Sequence, residues 1–460
     1  MRPQPLNIED ILPGTKVLFA NFPADGHFNP LTALAVHLKN AGCEVRWYTS
    51  ENYREKANRL QIPFYGFQKA LDVSAHTDID AIFPERKKHK SQVAKLKFDL
   101  VHAFILRSPE YYEDIQDIYQ EFPFELMVCD ITFGAIPFVR EKMNIPVMAI
   151  GIVPLIETSK DLPPSGLGLM PSSSFAGRLK QAALRFVADK MIFSQPTKVM
   201  REILNQYGID TGNANIFDIL IRKSSVVLQS GTPGFEYART DMSPHIHFAG
   251  PLLPCSKTKT AKRWYNEKLK QYENVLLMTQ GTVEKDVEKL IVPALEAFKN
   301  SDCLVIVTTG GSKTEELRRR FPQDNFLIED FIPFDDVMPY ADAYLTNGGY
   351  GGVLLSIKHG LPLVVGGVHE GKNEINARIG YFGLGVNMRT EKPTVLQVRK
   401  AVEEVLGNDR YAQNVKKLQG EFRQYDGNAI CAYHAAALVK RRQRKPRAKV
   451  EFLQAEVLIY

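Results

Sequence analysis

A histidine early in the chain, an aspartate about a hundred residues later and a glycine-rich turn near residue 350 are the groups best fitted to chemistry. His27 stands in Gly26-His27-Phe28-Asn29-Pro30. Imidazole has the side-chain pKa nearest neutrality, so it can take a proton from a hydroxyl at physiological pH. Asp130 closes the apolar run ELMVCD, residues 125–130. A carboxylate there could accept the imidazole N–H and stabilise the imidazolium, the orienting role of triad aspartates. Taken singly, His27 reads better as a capping or exposed histidine, and Asp130 equally well as the N-cap of the next helix. Taken together, they read better as a dyad.

The turn Thr346-Asn347-Gly348-Gly349-Tyr350-Gly351-Gly352 lies between an apolar run and the helical VLLSIKHG. Its glycines let backbone approach a ligand, and N–H groups at a helix start attract phosphate; tight packing alone is the alternative. It is neither a Gly-Lys-Ser/Thr phosphate loop nor a G-x-G-x-x-G fingerprint. Gln280-Gly281-Thr282 could add a hydroxyl to the same phosphates. Asp78-Ile79-Asp80 spells the D-x-D of some metal-dependent sugar transferases, but its polar surroundings read as a solvated loop. The basic cluster Arg86-Lys87-Lys88-His89-Lys90 likewise reads as a solvated face. Contact of that cluster and the basic C-terminal tail with an anionic membrane is the weaker alternative, at about 1 kcal/mol per basic residue. No HExxH, GxSxG or kinase motif set is present.

These residues need elements to hold them. Short apolar runs at 16–22, 44–50, 125–130 and 146–151 alternate with helical patterns, with Pro30 expected in a first helical turn and Gly42 at the exit. The rhythm breaks over about 155–215, where prolines, glycines and a serine run precede two helical stretches. A second series runs through 274–281, 303–311, 325–333, 343–349 and 362–367. Strand–helix alternation of this kind predicts α/β architecture with doubly wound parallel sheets, in two similar halves joined near residue 255. The 460 residues are 44% hydrophobic and 24% charged, which excludes disorder and fibrous repeats. Net charge is +6, yet residues 440–449 hold seven Lys/Arg and no acid, so the other 450 sum to −1. That near-neutral body argues against a nucleic-acid surface spread over the fold. Five widely spaced cysteines without a CxxC suggest neither a disulfide framework nor zinc, and point to a reducing cytosol. A signal peptide and membrane spans are not expected, for want of a long apolar run.

Gly-His-x-x-Pro after the first strand, the distant Asp130 and the glycine-rich turn together resemble the family 1 glycosyltransferases, in their bacterial branch that modifies macrolides, flavonoids and other small aglycones. The likeness covers essentially the whole chain, and residues 19–50 look closest to flavonoid glycosylating enzymes, some using rhamnose. It implies a GT-B fold of two Rossmann-like domains facing across a cleft. The implied division is an acceptor domain over 1–250, a linker over 251–273, a nucleotide-sugar domain over 274–425, and a returning helix with basic tail over 426–460. Carried over by position, His27 is the general base and Asp130 its partner. Phe331 stacks on the donor base and Ile332 meets the base edge through its backbone. Gly281, Thr282, Asn347, Gly348, Gly349, Gly351 and Gly352 hold the diphosphate, and Glu370, Lys372 and Asn373 lie where the family reads sugar hydroxyls. Phe83, Phe133 and Leu167 are the acceptor-side expectations. No metal or cofactor is expected beyond an NDP-sugar co-substrate, and the acceptor is a small aromatic or lipophilic molecule. Three departures stand out: Asn347 replaces the family's His, Gly352 its Ser/Thr, and Leu355 the Glu that grips ribose. The last makes a deoxyribose donor plausible, so dTDP-L-rhamnose leads and UDP-glucose follows. Rival expectations are an epimerase of the same fold, an inactive nucleotide-sugar-binding protein and, more remotely, an NAD oxidoreductase.

Overall fold

A computed structural model describes residues 13–74, 78–255, 263–281, 284–369 and 371–444. The first sheet comprises β1 (Lys16–Ala20), β2 (Glu44–Tyr48), β3 (Phe64–Tyr65), β4 (Leu126–Asp130), β5 (Val147–Gly151), β6 (Val226–Ser230) and β7 (Ile246–Gly250), in the order β3-β2-β1-β4-β5-β6-β7. The second comprises β8 (Asn274–Thr279), β9 (Cys303–Thr308), β10 (Phe326–Glu329), β11 (Ala343–Thr346), β12 (Leu363–Val365) and β13 (Gly385–Asn387), in the order β10-β9-β8-β11-β12-β13. Every pairing within the two sheets is parallel. Strands such as LMVCD and CLVIVT are buried along their whole length because helices cover both faces of each sheet.

Strand order reverses between β1 and β4 in one sheet and between β8 and β11 in the other. Crevices that receive ligands open at such reversals, beyond the strands' carboxyl ends. His27 follows β1, Asp130 ends β4, Gly281 follows β8 and the turn 347–352 follows β11. Both switch points therefore carry the residues singled out by chemistry.

Several expectations are corrected. The apolar runs overstated the strands at their carboxyl ends: β1 stops at Ala20, where Asn21 turns aside to accept a hydrogen bond from Trp47 Nε1 at 2.7 Å. Pro30 lies inside the helix Asp25–Asn40, in its second turn, because the helix starts at Asp25. Gly42 does take the left-handed exit (φ +92°), a conformation cheap only for glycine. Strands β3, β6, β7 and β13 are additions to the expected set: β3 and β13 are two and three residues long, and β6 and β7 fall between the irregular stretch ending near 215 and the second series starting at 274.

Two cores flank the first sheet. One includes Val17, Phe19, Leu31 and Trp47, and is completed by Ile430, Cys431, Ala432, Ala435, Ala436 and Val439 from the helix Gly427–Gln443. The helix thus crosses back from the second sheet to cover the first. Among the described residues no helix is long and apolar enough to cross a membrane.

Candidate functional site

His27 sits in the first turn of Asp25–Asn40, with its Nδ1 3.1 Å from Asp130 Oδ1. Asp130 is fully buried, and both oxygens are held. Oδ2 accepts the Phe22 N–H at 2.8 Å, and Oδ1 accepts the N–H of Thr132 at 2.9 Å and its hydroxyl at 2.5 Å. The Thr132 hydroxyl is also 3.3 Å from His27 Nδ1. Burial would push the Asp130 carboxyl up, but the His27 ring, Thr132 and the Phe22 N–H outweigh it and hold the group below the ordinary carboxylate range. An ionised, buried acceptor fixes the imidazole with Nδ1 inward and leaves Nε2 as the nitrogen for a proton. The His27 side chain keeps 18% of its surface exposed, enough for a substrate hydroxyl to reach. Phe22 lies against the ring (centroids 5.2 Å) and stacks on Phe104 (4.1 Å), and Phe83 packs into the same cluster. Phe104 is delivered by a π-helical turn, Leu100–Ile105, an irregularity often found at functional sites.

Asp25–Asn40, the helix that carries His27, is touched by the helix Tyr350–His359 of the second half. Gly349 is its N-cap, and a Cβ at Gly349 or Gly351 would meet no atom within 4 Å, so backbone N–H groups stand beside open space. Gly348 has φ +89°, and a Cβ there would lie 1.9 Å from Asn376 Oδ1. Asn347 is buried, and its amide donates to the Gln280 carbonyl, bracing this turn against Gly281 (φ +84°). Two buried acceptors in the same cluster, Gln280 Oε1 and Asn376 Oδ1, have no hydrogen-bond partner among the described residues. A ligand hydroxyl would satisfy either.

The seam between the halves is polar and specific. Tyr350 donates to the Ser230 carbonyl at 2.6 Å. Arg378, 2% exposed, bridges Glu236 of the first half (2.9 and 3.1 Å) and Glu374 of its own helix (3.0 Å), and lies over the Tyr237 ring at 4.2 Å. Burial alone would lower the guanidinium pKa, but the two carboxylates hold it above the usual value. Glu374 Oε1 accepts the Gly168 N–H at 2.8 Å, and Asn373 donates to the Gly166 carbonyl at 2.8 Å.

The sequence pattern described as "Erythromycin biosynthesis protein CIII-like, C-terminal domain" matches residues 293–425. "4'-Demethylrebeccamycin synthase" of Lentzea aerocolonigenes is 33% identical over 410 residues, covering 89% of this chain and 96% of that protein. The chain belongs to the family 1 glycosyltransferases. "UDP-glucosyltransferase 1" of Beauveria bassiana is 28% identical over 431 residues, covering 88% of this chain and 91% of that protein. In the same fold, the calicheamicin glycosyltransferase CalG4 superposes with TM-score 0.72 at 19% identity, covering 94% of this chain and 99% of its own. The spinosyn rhamnosyltransferase SpnG with thymidine diphosphate gives 0.62 at 12% identity, over 92% and 100%. This glycosyltransferase therefore has the GT-B fold and draws on a nucleotide-activated sugar.

The expected site residues of the glycosyltransferase fall out unevenly. His27 and Asp130 meet; Gly281, Asn347, Gly348, Gly349, Gly351 and Gly352 gather around one turn cluster. Phe331 is 75% exposed beyond β10, and Ile332 is buried beside it. Thr282 and Glu370 lie outside the described residues. Asn373 spends its amide on Gly166, and Leu167 is on that same loop, so donor-side and acceptor-side expectations are linked by a contact. Phe133 is a correction: it is fully buried, stacked on Tyr111 in the sheet core, because the tight turn after β4 points it inward. The D-x-D stretch, expected as a loop, starts the short helix Ile79–Ile82: Asp78 caps it by accepting the Asp80 N–H, and Asp80 is engaged by Arg86, which also binds Asp99 at 2.6 Å. Thr132, Phe22, Phe104 and the Glu236–Arg378–Glu374 set went unread. Only Thr132 had a local signal, an Asp-x-Thr turn.

Proposed function

We propose that the chain catalyses an inverting, metal-independent transfer of a hexose from an NDP-sugar to a hydroxyl of a small hydrophobic aglycone such as a flavonoid. The His27–Asp130 contact carries this reading. His27 Nε2 takes the acceptor proton as the oxygen attacks the anomeric carbon from the face opposite the diphosphate. The C1–O bond to the diphosphate breaks, and its electron pair leaves with the phosphate oxygen. Asp130 stabilises the imidazolium, and the N–H groups at the start of Tyr350–His359 meet the charge growing on the leaving group. Phe22, Phe83 and Phe104 supply apolar surface beside the base, and Phe331 an exposed ring for the donor base.

dTDP-L-rhamnose is the leading donor. Leu355 packs against the core where the family has a ribose-binding carboxylate, which removes a reason to prefer ribose. UDP-glucose is the second reading, favoured by the relatives named UDP-glucosyltransferases. Assaying UDP- and dTDP-sugars with and without a flavonol, by mass spectrometry, tests both. Glycosylated flavonol is the expected product; conversion of donor alone to an epimer would replace the transferase reading, and donor binding without turnover would leave a binding protein.

A further inference from the structure

The helix Phe175–Val187 is built inside out. Ser174 caps it by accepting the Gly177 N–H at 3.1 Å, and the sequence FAGRLKQAALRFV is rich in good helix formers. Its one buried residue is a glutamine. Gln181 accepts the Ser172 N–H at 2.6 Å and donates to the carbonyls of Asp161 (3.3 Å) and Ser172 (3.4 Å). The large apolar side chains point outward: Phe175 is 87% exposed, and Leu179 and Phe186 65% each. With Ala182 and Ala183 they fall on one stripe, since residues three, four and seven apart share a helix face. Val187 at the helix end and Met191 in the π-helical turn Ala188–Ile192 extend the exposed apolar surface, and Leu167 and Met170 precede it. An exposed stripe of large apolar side chains of this kind marks an interaction surface.

Charge decides what the surface fits. Arg178, Lys180 and Lys190 are exposed beside the stripe, and Asp189 is the sole acid between 175 and 192. Lys190 Nζ lies 6.0 Å from the Phe186 ring. A second copy laid face to face would bring these cations together, whereas an anionic headgroup layer would pair with them while acyl chains receive the phenyl rings. We propose that Phe175–Val187 is a peripheral docking helix lying in the headgroup region of an anionic bilayer. Leu167 adjoins Gly166 and Gly168, which contact Asn373 and Glu374. If the transfer reading above holds, a lipophilic acceptor dissolved in the bilayer is delivered beside the cleft.

Co-sedimentation of the full chain with phosphatidylcholine vesicles, with and without about one-third phosphatidylglycerol, tests this without any substrate, so it stands or falls apart from the transfer reading. Binding to the anionic vesicles should exceed that to neutral ones by about tenfold or more and weaken with salt. Phe175→Ser with Phe186→Ser should lower it by about tenfold, and Arg178→Glu with Lys180→Glu should abolish the anionic preference, with thermal midpoint unchanged. Removing residues 445–460 should leave binding intact. Equal binding by wild type and the Phe175/Phe186 variant, no binding to either vesicle, or light scattering showing a dimer that the variant dissolves would each overturn the proposal.

Discussion

At the scale of single residues the site is a matter of who holds whom. Asp130 is locked by three N–H and O–H donors besides His27, so its charge is a fixed part of the protein. His27→Ala should reduce transfer to an alcohol by about 10²–10⁴-fold while leaving donor affinity, measured by calorimetry, near wild type. Asp130→Asn should also slow transfer, and it should change the acid limb of stability. The carboxyl lies below its ordinary value in the fold, so its ionisation stabilises the protein above about pH 4. That contribution fades as pH falls through the depressed value. Thermal midpoints of wild type and Asp130→Asn should converge there and be separated by a constant gap above about pH 4. The dyad could be read from residue types and strand ends, because strand ends are where ligands sit. Phe133 could not: the residues around it look the same whether the turn after β4 points its ring toward the cleft or into the sheet.

Elements decide how closely backbones can approach. Gly348 is confined by φ +89° and by Asn376. Gly348→Ala should cost about 1–3 kcal/mol, seen as a lower thermal midpoint, and weaken nucleotide binding together with it. The returning helix carries its own pH dependence. His434 on it stacks on His247 of β7 (4.6 Å), and burial pulls the His434 pKa down from 6.5 to about 4. The unfolded chain binds that proton first, so stability should fall as pH drops from 6.5 toward 4 and level off below. His434→Gln should flatten this slope in denaturant titrations at pH 7, 5.5 and 4. The central strands were legible as unbroken apolar runs, since parallel strands are buried on both faces. Edge strands β3 and β13 are too short to leave a pattern, and Ala20 ends β1 where the run continues to Phe22 because Asn21 and Phe22 are needed for hydrogen bonds.

On the scale of the whole molecule, the two halves are joined by charge as well as by shape. Arg378 and Glu236 are 142 residues apart and buried together, a pairing with no trace in local sequence. Arg378→Met strands two carboxylates, and should cost about 3–5 kcal/mol. Because Glu374 and Asn373 also hold the loop at Gly166–Gly168, the variant should release more free sugar from donor per transfer, read by chromatography of the products. Replacing Glu236 and Arg378 together by apolar residues should recover stability without restoring that ratio. The returning helix has a further meaning for the order of events on the ribosome. The first sheet is synthesised early, yet the core beside β1 is closed by Ile430, Cys431, Ala435 and Val439, made only after the entire second sheet. Until then the helix Asp25–Asn40 covers that face only in part, and the rest of it stays bare on the nascent chain. The early half is thus committed to waiting, and its solubility in the cell depends on chaperones or on the speed with which the rest is translated.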